Sequence, residues 1–254
     1  MRYSTTGRSS RTMVKSMLRL RFKSLIRKYV GFDVLAFREL MLDVGAVISG
    51  SSVTWMLSLC ERSPGDLNII VPRGQSQCLL HYFDELGYSR STSEVDNIAY
   101  LATAYVYRLL RGNDQVVIVE SKNKHVIHPV TCSLNSTQMN IMTPDEIIVF
   151  YPDLTLEGMA IIGRRCYPSN KHCHKVPQHF TVVDSSVFGQ RCGKNCPAFY
   201  RRLYGIDGMA RFNWAETRDE RGTFEKYVLG CHHKWRLGSP CYNRVCPNSR
   251  NDIL

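Results

Sequence analysis

Apolar residues recur at helical intervals through the first forty positions of the chain. Met17, Leu18, Leu20, Phe22, Leu25, Ile26 and Val30 predict a helix over residues 12–29, with an apolar stripe packed on a domain and a charged face in water. Residues 32–42 repeat apolar positions at i, i+3 and i+4 and predict a second helix. Gly45 and Ala46 then lead into a Gly50-Ser51 turn. A short buried helix over 52–60 follows, closed by the breaker cluster Ser63-Pro64-Gly65. Residues 67–71 read as a buried strand ended by Pro72-Arg73-Gly74, and Cys78, Leu79, Tyr82, Phe83 and Leu86 mark an amphipathic helix that stops at Gly87.

Strands dominate the next segment. Residues 105–111 and 115–121 predict a hairpin turning through Gly112-Asn113-Asp114, and 139–141 and 147–151 continue as short strands around Thr143-Pro144-Asp145. Helices followed by strands alternating with helices predict an α/β or α+β fold, a mixed sheet flanked by helices. Beyond about Ile162 the texture changes to dense Cys, His, Gly, Pro and Arg, with short strands at 180–183 and 208–214. Three regions result: a basic helix or arm over 1–30, a domain over 31–162, and a Cys/His-rich, loop-rich region over 163–254 packed on it.

Composition narrows this picture. At 254 residues and 44% hydrophobic, the chain can bury a real core and is not a disordered polymer. Its greasiest stretch, 98–110, is broken by Thr103 and Arg108, so no span of roughly 18 apolar residues suits a bilayer and no membrane partner is expected. Seven of the ten cysteines fall between Cys166 and Cys246, and the amino terminus lacks an apolar signal core. Reduced or metal-bound thiols in an intracellular compartment, cytoplasmic or nuclear, follow from that pattern.

Charge is distributed unevenly. Of the formal +11, nine positive charges (Arg2, Arg8, Arg11, Lys15, Arg19, Arg21, Lys23, Arg27 and Lys28) precede the first acid, Asp33, which leaves +2 for everything else. Three readings of this arm stay open: a basic surface helix, a mitochondrial transit segment, or a nucleic-acid patch. The last lacks the interleaved aromatics on which bases stack.

Two constellations carry candidate chemistry. A glycine at a strand-to-helix turn lets the backbone approach a phosphate, and the following serine can hydrogen-bond it, which singles out Gly50 and Ser51. Asp66 and Asn68, two apart on a strand, point to one side, so an acid there is joined by a neutral amide. The second constellation is Cys192-x3-Cys196 with Cys241-x4-Cys246, soft ligands suited to a structural Zn²⁺, and Cys231-His232-His233 lies between them. The other reading of these cysteines is reduced thiols filling a loop-rich half. The chain has no Gly-x-Ser-x-Gly elbow, no phosphate loop of the Gly-x4-Gly-Lys-Ser/Thr kind and no His-Glu-x-x-His pair. His81, His125 and His128 read as surface or hairpin-edge residues, and Trp55, Trp214 and Trp235 as core anchors.

Ile48-Ser49-Gly50-Ser51 followed by Asp66-Leu67-Asn68-Ile69 resembles the signature of the nucleotidyltransferase-like, polymerase β-type superfamily, a hydrophobic-Gly-Ser turn, Asp-x-Asp or Asp-x-Glu, and a third acid on a later strand. More narrowly, the ordered set Ser49-Gly50-Ser51, Asp66-Leu67-Asn68, Gly87-Tyr88, Val116 to Val119, Met139-Asn140 and Tyr151-Pro152-Asp153-Leu154-Thr155 is similar to nucleotidyltransferase-like proteins abundant in mushroom-forming fungi. The match spans residues 45–160. The resemblance implies a Mg²⁺-nucleotide site in which Asp66, the residue at Asn68 and a third position on the 115–121 strand hold the metal. Val117 is expected at that third position, with Glu120 at the strand end facing the other side.

One carboxylate and an amide suit Mg²⁺ poorly. A catalytically impaired nucleotidyltransferase-like protein, kept as a nucleotide-binding or protein-interaction module, is therefore the leading expectation. The alternatives are an active Mg²⁺-dependent nucleotidyltransferase on an unknown acceptor, with Asp66 and Glu120 as metal ligands, and a basic RNA-binding protein.

Overall fold

The computed structural model describes residues 8–58, 63–91, 102–163, 176–184, 199–202, 209–214 and 231–237. Helix α1 runs Arg8–Val30 and α2 Val34–Val44. Strand β1 (Val47–Ser49) leads into α3 (Ser51–Leu57), β2 (Asp66–Val71) into α4 (Ser76–Glu85), and β3 (Ser89–Arg90) into the long pair β4 (Thr103–Arg111) and β5 (Asp114–Ser121). A short α5 (Ile127–Thr131) and a 3-10 turn (Ser136–Met139) precede β6 (Asn140–Met142), β7 (Glu146–Val149) and α6 (Pro152–Thr155). The remaining strands are β8 (Met159–Ala160), β9 (Thr181–Val182), β10 (Arg201–Arg202), β11 (Ala210–Asn213) and β12 (Lys234–Trp235).

Eight of these strands form one mixed sheet in the order β11-β7-β6-β1-β2-β5-β4-β3, while β8 pairs β9 and β10 pairs β12 in two small sheets. In the large sheet β2 lies antiparallel to β1 and parallel to β5, and the other pairs are antiparallel. Because β2 and β5 run the same way, the chain must cross over between them, and α4, β3 and β4 make that crossing. The expected mixed sheet flanked by helices is therefore present.

Each face of the sheet has its own core. On one side Phe22, Leu25, Ile26 and Tyr29 of α1, Phe37 and Met41 of α2, Val53 and Met56 of α3, and Leu79 and Phe83 of α4 pack on Leu67, Ile69, Val71, Val116 and Ile118. On the other, Val126, Ile127 and Val130 around α5 and Leu154 of α6 pack on Val47, Ile70, Ile141 and Ile148. Strand residues alternate between these cores with the period of two that a pleated strand imposes. β2 reads as a near-continuous apolar run because both its faces are covered.

Several element boundaries differ from the sequence expectation for identifiable reasons. The first helix extends from Arg8, four residues before the expected start, and its buried stripe is Leu18, Phe22, Leu25, Ile26, Tyr29 and Val30. Met17 and Leu20, expected within that stripe, lie on the opposite side and face water, Leu20 at 68% exposure. Helix α2 starts at Val34, since Gly31 turns the chain with φ 68° and leaves Phe32 outside the core. α5 and α6 are five and four residues long, too short to show helical periodicity, and were not expected.

The region after Ile162 supplies parts of the same structure. β11 extends the main sheet beside β7, and Arg211 donates to the fully buried Glu146 carboxylate through Nε at 2.9 Å and Nη2 at 2.7 Å. Trp214 is buried in the first core with its ring 5.8 Å from Phe22, and Trp235 in the second, 5.3 Å from Phe150. Trp55 is partly buried beneath the Arg21 guanidinium.

The carboxyl end of α1 is held by a tyrosine-arginine cluster. The Tyr29 hydroxyl donates to the Pro64 carbonyl at 3.1 Å, Tyr88 donates to the Tyr29 carbonyl at 2.9 Å, and Arg111 lies 4.5 Å over the Tyr88 ring while donating to the same carbonyl at 3.1 Å. Burial pushes both phenols up, Tyr88 to about 12 from 10.0, with Arg111 partly opposing the shift and Asp114 adding to it.

Two outcomes follow from this packing. Trp214→Ala should lower stability by about 3–5 kcal/mol in urea titration, because it empties the contact between α1 and the last sheet strand. A raised phenol stabilises the fold in full below its unfolded value and loses that contribution as pH climbs through its folded value. Stability measured between pH 10 and 12 should therefore fall, and Tyr88→Phe should make that fall shallower.

Candidate functional site

The Gly-Ser turn and the start of β2 come together at one edge of the sheet. β1 and β2 pair antiparallel with Ser49 opposite Asn68, so the chain leaves β1 at the end where β2 begins. Gly50 makes the turn at φ 72° and ψ −145°, a backbone conformation open in practice to glycine alone. A Cβ added there would sit 3.3 Å from the Asn68 Nδ2 atom. Glycine is thus required both for the angle and for the space.

Two serines after the turn grip Asp66. Ser51 Oγ donates to Asp66 Oδ1 at 3.2 Å on the exposed side, while the buried Ser52 donates to the Asp66 backbone carbonyl at 3.2 Å. The seven-residue α3 begins here, with Val53 N–H donating to the Gly50 carbonyl at 3.1 Å. Asp66 and Asn68 are both half-buried and face the same side. Gly50, Ser51, Asp66 and Asn68, all expected from sequence, therefore share one corner.

The parallel pairing of β2 with β5 decides what lies beside them. Asp66 stands opposite Gln115, Asn68 opposite Val117 and Val71 opposite Glu120. Val117, expected as the third position, is accordingly the neighbour of Asn68, and it is buried. Glu120 is five positions along from Gln115, roughly 16 Å at strand rise, and the odd spacing turns it to the opposite face.

There Glu120 has a structural task. Its buried carboxylate accepts the Gly74 N–H at 3.0 Å and the Ser76 hydroxyl in a short contact, with Arg73 Nε 3.6 Å away. It thereby orders the turn that opens α4. The structure does not bring Glu120 to Asp66.

The face beside Asp66 thus offers one carboxylate, a neutral amide and an apolar side chain. Mg²⁺ asks for several oxygen ligands, usually with more than one carboxylate or the phosphates themselves. Among the described residues no group of three or more His, Cys, Asp or Glu comes together as a metal site. This donor set does not fit a divalent cation held by protein carboxylates.

One residue on the same face was missed. β4 pairs antiparallel with β5, with Arg108 opposite Val117 and Leu110 opposite Gln115. Arg108 therefore shares the face of Asn68 and Asp66, in a row running Ser49, Asn68, Val117, Arg108. The hairpin expectation placed the turn over three residues, which would pair Arg108 with Ile118 and send it to the other face. The observed turn has two residues, Gly112 and Asn113, between Arg111 and Asp114. One residue of register moved an arginine into the site.

The proposed zinc ligands Cys192, Cys196, Cys241 and Cys246 lie outside the described residues. Cys231 is buried in the second core, where desolvation raises its thiol. His233 Nε2 is 2.7 Å from Thr131 Oγ1 and its ring is 4.5 Å from that of His128.

No described helix is long and apolar enough to cross a membrane. The fold and this corner define a mixed α/β domain with a glycine turn placed against a single acid. No family model matches the chain, and neither a curated protein nor a solved structure matches it.

Gly50→Ala tests the corner's geometry. The positive φ should cost about 1–3 kcal/mol of stability in chemical denaturation, and the new methyl should displace the Asn68 amide.

Proposed function

We propose that the chain is a nucleotidyltransferase-like domain with a degenerate metal site, retained as a nucleotide-binding or protein-interaction module. The observation that carries this reading is the register Asn68 to Val117 beside Asp66. If the family's three metal-holding positions are transferred to this chain, two of them are an amide and a valine. Transferase chemistry needs the metal to neutralise charge developing on the phosphoryl group, and one acid with a serine partner supplies too little of it. The glycine turn is a separate matter. Gly50 keeps the backbone open at the corner, and Ser51 and Asn68 offer hydrogen-bond donors there, so recognition of a phosphate survives the loss of the metal.

Calorimetry with ATP and incubation with radiolabelled ATP test this directly. Weak binding of similar strength with Mg²⁺ or with EDTA, and no label transferred to protein, RNA or small-molecule acceptors, is the expected result. Tight Mg²⁺-dependent binding together with label transfer overturns it in favour of an active transferase. In that case Asp66→Asn abolishes the transfer.

A further inference from the structure

We propose that Arg108 supplies the positive charge of this face, so that the corner takes the polyphosphate of a nucleotide as a metal-free anion. The inference rests on the nucleotide-binding reading above and adds the chemical form of the ligand and the residue that recognises it. Its basis is the register. Ser49 pairs with Asn68, Asn68 with Val117, and Val117 with Arg108, across four adjacent strands whose directly opposed residues share a face.

Strand spacing places Arg108 about 10 Å from Asn68, two strands away, and the buried Val117 between them contributes no polar group. An anion seated on the donors at Gly50, Ser51 and Asn68 meets the guanidinium at its far end. That separation suits an extended chain of phosphates better than a single one.

The charge on this face is the reverse of what a divalent metal needs. Where a third acid would complete a Mg²⁺ site, the row continues to a half-buried guanidinium. Arginine offers a planar fork of donors matched to phosphate oxygens, and it keeps its charge at any physiological pH. The other arginines of the β3 and β4 region belong to the opposite side. Arg111 is spent on the Tyr29 carbonyl and the Tyr88 ring, Arg90 lies 5.7 Å over Tyr107, and Arg73 lies 5.1 Å over Tyr105. Odd positions of β4 carry those contacts and even positions carry Arg108, as the pleat requires.

Asp66 then acquires an unusual sign. A metal site would need its carboxylate, whereas a bare polyphosphate is repelled by it. Removing that charge should tighten binding on the present proposal and abolish it under a metal mechanism.

The experiment is calorimetry on the full chain with ATP, inorganic tripolyphosphate and adenosine, each in EDTA and in Mg²⁺. ATP and tripolyphosphate are expected to bind in EDTA and adenosine far more weakly, with affinity falling as salt rises. Arg108→Gln should weaken ATP and tripolyphosphate roughly 10- to 100-fold, Arg108→Lys less, and Asp66→Asn should tighten both several-fold. Thermal melting of each variant separates lost binding from lost fold, and Arg108→Lys keeps the charge if Arg108→Gln fails to fold. ATP binding in EDTA that Arg108→Gln and Arg108→Lys leave unchanged overturns the role of Arg108 while the nucleotide reading stands. Binding that needs Mg²⁺ and vanishes in Asp66→Asn overturns the metal-free form. No binding of ATP or tripolyphosphate in either condition overturns the nucleotide reading itself.

Discussion

β2 lies between an antiparallel neighbour and a parallel one, and the register of those two ladders is the constraint from which the rest of the molecule follows. Leu67, Ile69 and Val71 enter one core, and Ile70 enters the other. A slip of one residue against either neighbour would exchange the two sets, so burial on both faces holds the pairing in place. Once it is held, Ser49, Asn68, Val117 and Arg108 must stand in a line, and Asp66 must stand at the end where β1 gives way to the Gly50 turn. The corner is thus a by-product of core packing some distance from it.

The two ends of the β2–β5 pair use their polar groups differently. At the start of β2, Asp66 is half-buried and receives a single exposed serine bond, an arrangement that leaves carboxylate lone pairs for a ligand or for water. At the far end of β5, Glu120 is buried, and its oxygens are taken up by the Gly74 N–H, the Ser76 hydroxyl and the nearby Arg73. A carboxylate so enclosed stabilises a turn and is poorly placed for chemistry. The contrast explains why an acid near the end of a strand was a weak guide to the third site position.

The basic amino-terminal segment divides along similar lines. Arg19 donates to the Trp214 carbonyl, Arg21 to the Trp55 carbonyl and Lys28 to the Pro64 carbonyl, so three of its charges hold other parts of the chain against α1. Lys15, Lys23 and Arg27 are exposed instead. With Phe22, Leu25, Ile26 and Tyr29 fully buried beneath it, α1 is a wall of the first core as well as a charged surface. The surface-helix reading of the segment accounts for this packing directly.

Sequence alone determined the helices and strands whose periodicity is long enough to see. These are α1, α2 and α4, the β4–β5 hairpin, and the apolar run of β2, because a buried face must repeat with the period of its element. It also placed Gly50, Ser51, Asp66 and Asn68 in one neighbourhood, since a turn and the following strand are close in the chain. Tertiary structure decided what no local pattern carries. The joining of β11 to the main sheet, the burial of Trp214 and Trp235 on opposite faces, and the short α5 and α6 depend on contacts between distant segments. The position of Arg108 turned on one residue of hairpin register, and side chains alternate with a period of two, so only the assembled sheet could say which face it joins.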